Sequence, residues 1–145
     1  MSLLRRIKSD ETIQSGSKTM NQCPFCTPDE LKVVMATPDC LAIADGYPVS
    51  PGHTLIIPKR HVASFFELTH EEQAAMLDLL TEMRQRLVAE RHPDGFNIGI
   101  NDGAAAGQTV MHLHIHLIPR YAGDQPDPRG GVRWIFPDKA AYWDK

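Results

Sequence analysis

The sequence predicts an α+β fold: an antiparallel sheet of about five strands with one long helix and a shorter helical segment. Short apolar runs typical of strands occur both before and after one long stretch whose apolar residues recur at helical spacing. Strands on both sides of a single long helix favour an antiparallel sheet. With 145 residues and 42% hydrophobic content, the chain can bury the core of one domain.

Composition divides the chain into three parts. Residues 1–22 are polar and weakly patterned, so we expect a flexible leader there, with order beginning near Cys23. Residues 23–124 contain the patterned segments and form the expected main domain. Residues 125–145 are rich in Gly, Pro and Asp, and we expect them to pack as a tail on the same domain.

The predicted elements follow in order along the main domain. The segments LKVVMAT and CLAIADG form a strand pair around the turn Pro38-Asp39, and HTLIIPKRH forms a third strand that ends near Pro58. Thr69 and Glu72 have the spacing of a capping box, which places the start of the long helix there. The apolar residues at helical spacing are Met76, Leu79, Leu80, Met83 and Leu87. After the helix, FNIGIND is extended, NDGAAAG is a loop and QTVMHLHIHLIPR is the last strand.

Three of the seven histidines alternate with aliphatic residues in HLHIHLIPR. In an extended strand His112, His114 and His116 would share one face, and the aliphatic residues would face the core. The outer two histidines would then lie about 13 Å apart, too far for all three to bind one metal ion at Zn–N distances of about 2.0–2.1 Å. Two of them could share a metal while the third does nucleophilic or acid–base work. The alternative is the polar face of an edge strand.

A short turn precedes the histidines. Gly107-Gln108-Thr109 combines a glycine, an amide and a hydroxyl, which could form a phosphate cradle from backbone and side-chain donors. A plain hairpin loop is the alternative. The neighbouring histidines favour the phosphate site.

These motifs resemble those of the histidine triad superfamily of nucleotide hydrolases and transferases. The resemblance rests on NDGAAAGQTVMHLHIHLIPR and on LAIADGYPVSPGHTLIIPKRH, and it runs from Cys23 to about Asp124. It implies a histidine-triad-like fold in which 23–124 is the nucleotide-binding catalytic domain. GQTV followed by PRYAGD is most similar to the fragile histidine triad and diadenosine polyphosphate hydrolase branch, although the phosphoramidase branch shares much of it.

The resemblance also implies roles for individual residues. His114 matches the nucleophile that attacks the α-phosphorus of a purine nucleotide derivative, and His116 matches the histidine that contacts the scissile phosphate and assists the leaving group. The other matched positions are Ile43 in the base pocket, Asp45 on the ribose, Asn101, Gln108 and Thr109 on phosphate or leaving group, Gly107 for close approach, and His53 behind the triad. For His53, a hydrogen-bonded histidine at a strand start is the alternative.

The motif CPFC, with Cys23 and Cys26, predicts a metal site rather than a redox site. A redox C-x-x-C lies at a helix start in a βαβ setting, which this sequence lacks. Two thiolates need two more ligands for a closed tetrahedral zinc site. The resemblance supplies His112, the triad member without a catalytic task, and His61. The expected zinc is structural, and we expect no organic cofactor.

Other features bound the partners and the location. A net charge of −3 gives no basic field for polymeric nucleic acid, and no apolar run is long enough for a membrane span. Few cysteines and no signal-peptide pattern indicate a cytoplasmic protein. The resemblance implies a homodimer that binds a small nucleotide. Arg129 and Arg133 in the tail could reach a polyphosphate, or make only surface ion pairs or dimer contacts.

Two other classes of function stay open from the sequence. One is a nucleotide-binding or zinc-dependent sensor that has kept the fold without turnover, which the intact His114 and His116 disfavour. The other is a zinc-knuckle protein that binds single-stranded nucleic acid through its aromatic residues, which the net acidity disfavours.

Overall fold

Five strands form one antiparallel sheet in the computed structural model, which describes residues 22–145. The strands are β1 Val33–Ala36, β2 Cys40–Ala44, β3 Thr54–Pro58, β4 Gly95–Gly99 and β5 Ile115–Arg120. They are ordered β1-β2-β3-β5-β4, and every neighbouring pair is antiparallel. The predicted fold class is confirmed. Apart from Gln22, the predicted leader lies outside the described residues.

The long helix α1 spans His70–Arg91 and begins with the predicted capping box. The Thr69 hydroxyl accepts a hydrogen bond from the Glu72 N–H at 3.1 Å, and the Glu72 carboxylate accepts one from the Thr69 N–H at 2.9 Å. The helix ends at Arg91 and is capped by His92, whose backbone is left-handed with φ 51°. Its buried residues are Met76, Leu79, Met83 and Leu87. The shorter helical segment, α2, spans Pro137–Ala140 in the tail.

The last strand is shorter than predicted. The extended segment was expected from Gln108, but β5 begins only at Ile115, so His112 and His114 precede the strand. The chain bends because its polar groups bond outside the sheet: the Leu113 N–H donates to the Val62 carbonyl at 2.7 Å, and the His112 ring binds the Pro58 carbonyl. The aliphatic residues nevertheless face the core as predicted. Leu113, Ile115 and Leu117 are all buried in one core cluster.

The two faces of the sheet have different neighbours. Helix α1 covers the face that carries Ile56, Ile115 and Leu117. The opposite face carries a smaller apolar cluster of Ile43, Leu55 and Ile57. His116 is paired with Leu55 across β3 and β5 and therefore lies on this second face. Within residues 22–145, no helix is long and apolar enough to cross a bilayer.

Candidate functional site

A cavity of about 580 Å³ opens on the sheet face that helix α1 leaves uncovered. Its volume is in the range of small-molecule sites. His114 and His116 line it together with most of the predicted substrate-binding residues. The predicted residues in the lining are Ile43, Asp45, Asn101, Gly107 and Thr109.

The ring of His114 is held in one tautomer by the backbone. Its Nδ1 lies 2.8 Å from the His112 carbonyl oxygen, and a carbonyl can only accept, so Nδ1 carries the proton. The other nitrogen, Nε2, is then unprotonated in the neutral ring. His114 is 8% exposed and lines the cavity. The ring that carries the free electron pair can therefore contact a ligand in the cavity.

A hydrogen-bonded chain lies behind His116. The Val49 N–H donates to His53 Nδ1 at 3.2 Å, which puts the His53 proton on Nε2. That nitrogen lies 3.0 Å from His116 Nδ1 and 3.4 Å from an Asp45 carboxylate oxygen. His53 therefore donates to His116, and the neutral His116 ring carries its own proton on Nε2. In histidine sites of this kind, the hydrogen bond made by one ring nitrogen determines whether the other nitrogen acts as a donor or as an acceptor.

Burial keeps two of these rings neutral. The pKa of His116 is lowered to about 4, first by burial and then by the neighbouring His114 and His53, against the opposing effect of Asp45. Burial also lowers the pKa of His53, and Asp45 again opposes the change. Near neutral pH His116 is thus an uncharged donor rather than an imidazolium.

The loop before the triad brings some of the predicted residues to the cavity and withholds one. Gly107 has φ 94°, a conformation that favours glycine, and it lines the cavity beside Thr109. Gln108 is buried and lies outside the cavity lining. Its Oε1 accepts from the Gly103 N–H at 2.8 Å, and its Nε2 donates to the carbonyls of Ala63 and Val110. Its amide therefore holds the loop in this structure, and the phosphate contact of Gln108 stays a prediction.

The four predicted metal ligands lie together. Cys23 and Cys26 come from the turn before β1, His61 follows β3, and His112 precedes β5. Their ligand atoms all lie within 4.8 Å of one another: Cys23 Sγ is 3.4 Å from His112 Nδ1, and Cys26 Sγ is 3.1 Å from His61 Nδ1. These separations suit tetrahedral bonds of about 2.0–2.3 Å to one ion.

The chemistry of this cluster also fits a bound cation. His112 Nε2 lies 2.8 Å from the Pro58 carbonyl oxygen and donates to it, which leaves Nδ1 unprotonated toward the cysteines. Burial lowers the pKa of His112, so the ring is neutral. Burial, followed by the adjacent Cys23, raises the pKa of Cys26 to about 11. A divalent ion bound here would stabilise the thiolate forms of Cys23 and Cys26 and so offset the cost of deprotonating them.

Phe25 is a site residue that was not predicted. Its ring centroid lies 5.0 Å from that of His114 and 5.9 Å from that of His112, both in edge-to-face geometry. Phe25 also lines the cavity. Because it stands between the two cysteines of CPFC, a metal knuckle would fix its backbone on both sides; that position in the motif was the available signal.

The two tail arginines bind within the tail. Arg129 pairs with Asp127 at 2.9 Å and lies 4.6 Å from the centroid of the Trp143 ring. Arg133 donates to the backbone carbonyls of Lys139 and Ala140. Of the two alternatives for these arginines, the structure shows local pairing.

The histidine triad architecture seen here is matched by a family model. The HIT domain model matches residues 28–123, which hold the whole sheet, helix α1 and most of the residues described above. The chain belongs to the HIT family.

Several curated relatives are similar to this chain. An uncharacterized 16.1 kDa HIT-like protein of Mycoplasma pneumoniae is 37% identical over 113 residues, which cover 75% of this chain and 78% of that protein. Adenylylsulfatase HINT3 of Arabidopsis thaliana is 39% identical over 75% of this chain, and the AP-4-A phosphorylase of Mycobacterium tuberculosis is 32% identical over 76%. The matched region spans 57% of each of these two named enzymes.

Solved structures show the same fold. A Zn-bound histidine triad family protein from Mycobacterium smegmatis superposes with a TM-score of 0.66 at 34% identity, covering 74% of this chain and 86% of that one. SMU.412c from Streptococcus mutans superposes with a TM-score of 0.67 at 37% identity, covering 79% and 75%.

Proposed function

We propose that this protein is a nucleotide hydrolase or transferase that acts at the α-phosphorus of a purine nucleotide derivative, such as a dinucleoside polyphosphate. The observation that carries the proposal is the 2.8 Å hydrogen bond from His114 Nδ1 to the His112 carbonyl. It leaves an unprotonated Nε2 on a cavity-lining ring, which is the arrangement that a neutral imidazole nucleophile needs.

The proposed reaction has two displacements. His114 Nε2 forms a bond to the α-phosphorus while the bridging P–O bond breaks, and the electron pair leaves with the departing oxygen. His116 donates a hydrogen bond from Nε2 to the phosphate or the leaving oxygen. Water then attacks the phosphorus and loses a proton to solvent, the N–P bond breaks with its electron pair returning to Nε2, and the nucleotide is released with His114 neutral again. One difficult displacement becomes two easier ones.

The remaining lining residues are assigned by chemistry and by family resemblance. Ile43 is buried and offers an apolar wall for a base, while Asp45 offers carboxylate oxygens to ribose hydroxyls. Asn101 and Thr109 are exposed donors at the cavity edge and would contact phosphate. His53 acts as a positioning residue for His116.

We further propose that Cys23, Cys26, His61 and His112 hold a structural zinc ion. The ion would tie the turn before β1 to the end of β3 and to the start of the triad, and it takes no part in the reaction. The Zn-bound relative supports the choice of metal. We place the protein in the cytoplasm because its cysteines are free and suited to metal binding. By resemblance to the family we also propose a homodimer, with 125–145 packed on the catalytic unit 23–124.

The test is turnover of diadenosine tetraphosphate and of adenosine 5′-phosphoramidate by wild type and His114→Ala. The variant should lose several orders of magnitude in turnover on whichever substrate the wild type uses, while nucleotide binding survives. His70→Ala, a change at an exposed histidine outside the cavity, should leave activity unchanged. His114→Ala activity within tenfold of wild type would contradict the proposal.

A further inference from the structure

A second cavity lies beneath the carboxyl-terminal tail. Its volume is about 560 Å³, close to that of the catalytic cavity. The sheet contributes Asn97, Ile118 and Arg120 to its wall, and the tail contributes residues from Gln125 to Trp134. None of the residues that line this cavity has a role in the proposed reaction.

The two cavities open on the same face of the sheet. Along β5, His116, Ile118 and Arg120 alternate with the buried Leu117 and Pro119, so all three lie on the face that helix α1 does not cover. With a rise of about 3.4 Å per residue, Ile118 lies about 7 Å beyond His116 and Arg120 about 14 Å beyond it. The two cavities therefore lie along one strand, with His116 in the wall of the first and Ile118 and Arg120 in the wall of the second.

The charges of the second cavity are already paired. Arg120 donates to both carboxylate oxygens of Asp124 at 2.8 Å and to the side-chain amide oxygen Oδ1 of Asn97 at 2.6 Å. Asp127 is paired with Arg129 at 2.9 Å. The two charged residues of the wall, Arg120 and Asp127, therefore have partners already, which favours an uncharged ligand over a phosphate group.

The neutral part of the wall suits a planar heterocycle. Trp134 is 45% exposed, and its indole N–H donates to the Arg129 carbonyl at 2.8 Å, which fixes the ring at the cavity wall. Ile118 and Val132 add apolar contact, and Asn97 adds an amide. Gly131, with φ 46°, brings the tail so close that a Cβ there would lie 3.1 Å from Asn97 Nδ2.

We propose that this tail cavity binds the second nucleoside of a dinucleoside polyphosphate, with Trp134 stacking on its base. The proposal rests on the proposed function and deepens it, because it selects a two-nucleoside substrate over one with a small leaving group. The polyphosphate would span the face between His116 and Arg120, and the uncharged nucleoside would occupy the cavity that lacks a free charge among the described residues.

The kinetic test compares Trp134→Ala, Trp134→Phe and Phe136→Ala on two substrates. Trp134→Ala removes the proposed stacking partner of the base and should lower kcat/KM for diadenosine tetraphosphate by roughly fivefold to 150-fold. It should leave adenosine 5′-phosphoramidate within about twofold. Trp134→Phe keeps a ring and should retain most of the activity. Phe136, which is 68% exposed and outside the cavity lining, is the matched control and should have no effect.

A binding test keeps this proposal separate from the catalytic one. In the His114→Ala background, for which the proposed mechanism predicts negligible turnover, calorimetry should show diadenosine tetraphosphate binding about tenfold tighter than AMP. Adding Trp134→Ala should abolish the difference. Equal affinities before the Trp134 change would overturn the proposal even if turnover is normal. Equal kinetic losses on both substrates, or a change of oligomeric state in Trp134→Ala, would instead identify a structural or dimer-contact role and would also overturn it.

Discussion

Replacing His53 with leucine isolates the contribution of the chain behind His116. His53 is 5% exposed, and its Nε2 donates to His116 Nδ1 at 3.0 Å. His53→Leu removes this donor, and the proton of His116 is then free to move to Nδ1, away from the nitrogen that must donate to phosphate. Leaving one buried polar partner unsatisfied costs about 1–3 kcal/mol.

That free energy sets the expected loss of activity. If it falls on the transition state, kcat/KM decreases by roughly fivefold to 150-fold, with kcat carrying most of the change. His53→Gln places an amide donor in the same region and should recover part of the loss. Steady-state kinetics and thermal unfolding are measured on the same preparations, so that a lower melting temperature is distinguished from a catalytic defect. His53→Leu with kcat/KM within twofold of wild type would refute the positioning role.

Two further predictions concern the metal and pH. Purified protein should contain about one zinc per chain by elemental analysis. The double variant Cys23→Ala/Cys26→Ala should lose the metal and melt at a lower temperature, whereas Cys40→Ala, which changes a buried cysteine outside the cluster, should keep the metal. Stoichiometric zinc in the double variant would contradict the assignment. His53 and His116 have folded-state pKa values below the ordinary 6.5, to about 4 for His116, so the unfolded chain binds more protons between those values. Stability should therefore be full above about pH 6.5 and decrease as the pH falls toward 4; melting curves across that range test this, and a melting temperature that rises on acidification would show that the sign is wrong.

The elements with local signals were predictable from the sequence. The capping box of Thr69 and Glu72 and the apolar spacing after it depend only on residues within a few turns of each other, and helix α1 begins where they indicate. The alternation of Leu113, Ile115 and Leu117 similarly predicts which side faces the core. The order of the strands could not be predicted from local patterns, because it depends on pairing between segments that are distant in the sequence.

The details of the site depend on long-range contacts and were harder to predict. The predicted start of β5 was wrong because the His112 ring donates to the carbonyl of Pro58, 54 positions away, and lies in the cluster of candidate metal ligands. Partners distant in the sequence also determine the surroundings of Gln108, whose amide donates to the carbonyl of Ala63, and of Phe25, whose ring lies against His114. None of these partners is visible from local spacing.

The most direct test of the proposed mechanism is detection of the covalent intermediate. Wild-type protein is mixed with diadenosine tetraphosphate, quenched within the first turnover, digested and examined by mass spectrometry. The mechanism predicts one added nucleotidyl group on the peptide that contains His114, and no such group in His114→Ala. Rapid turnover with the peptide unmodified at every quench time, or a nucleotidyl group on a different residue, would contradict it.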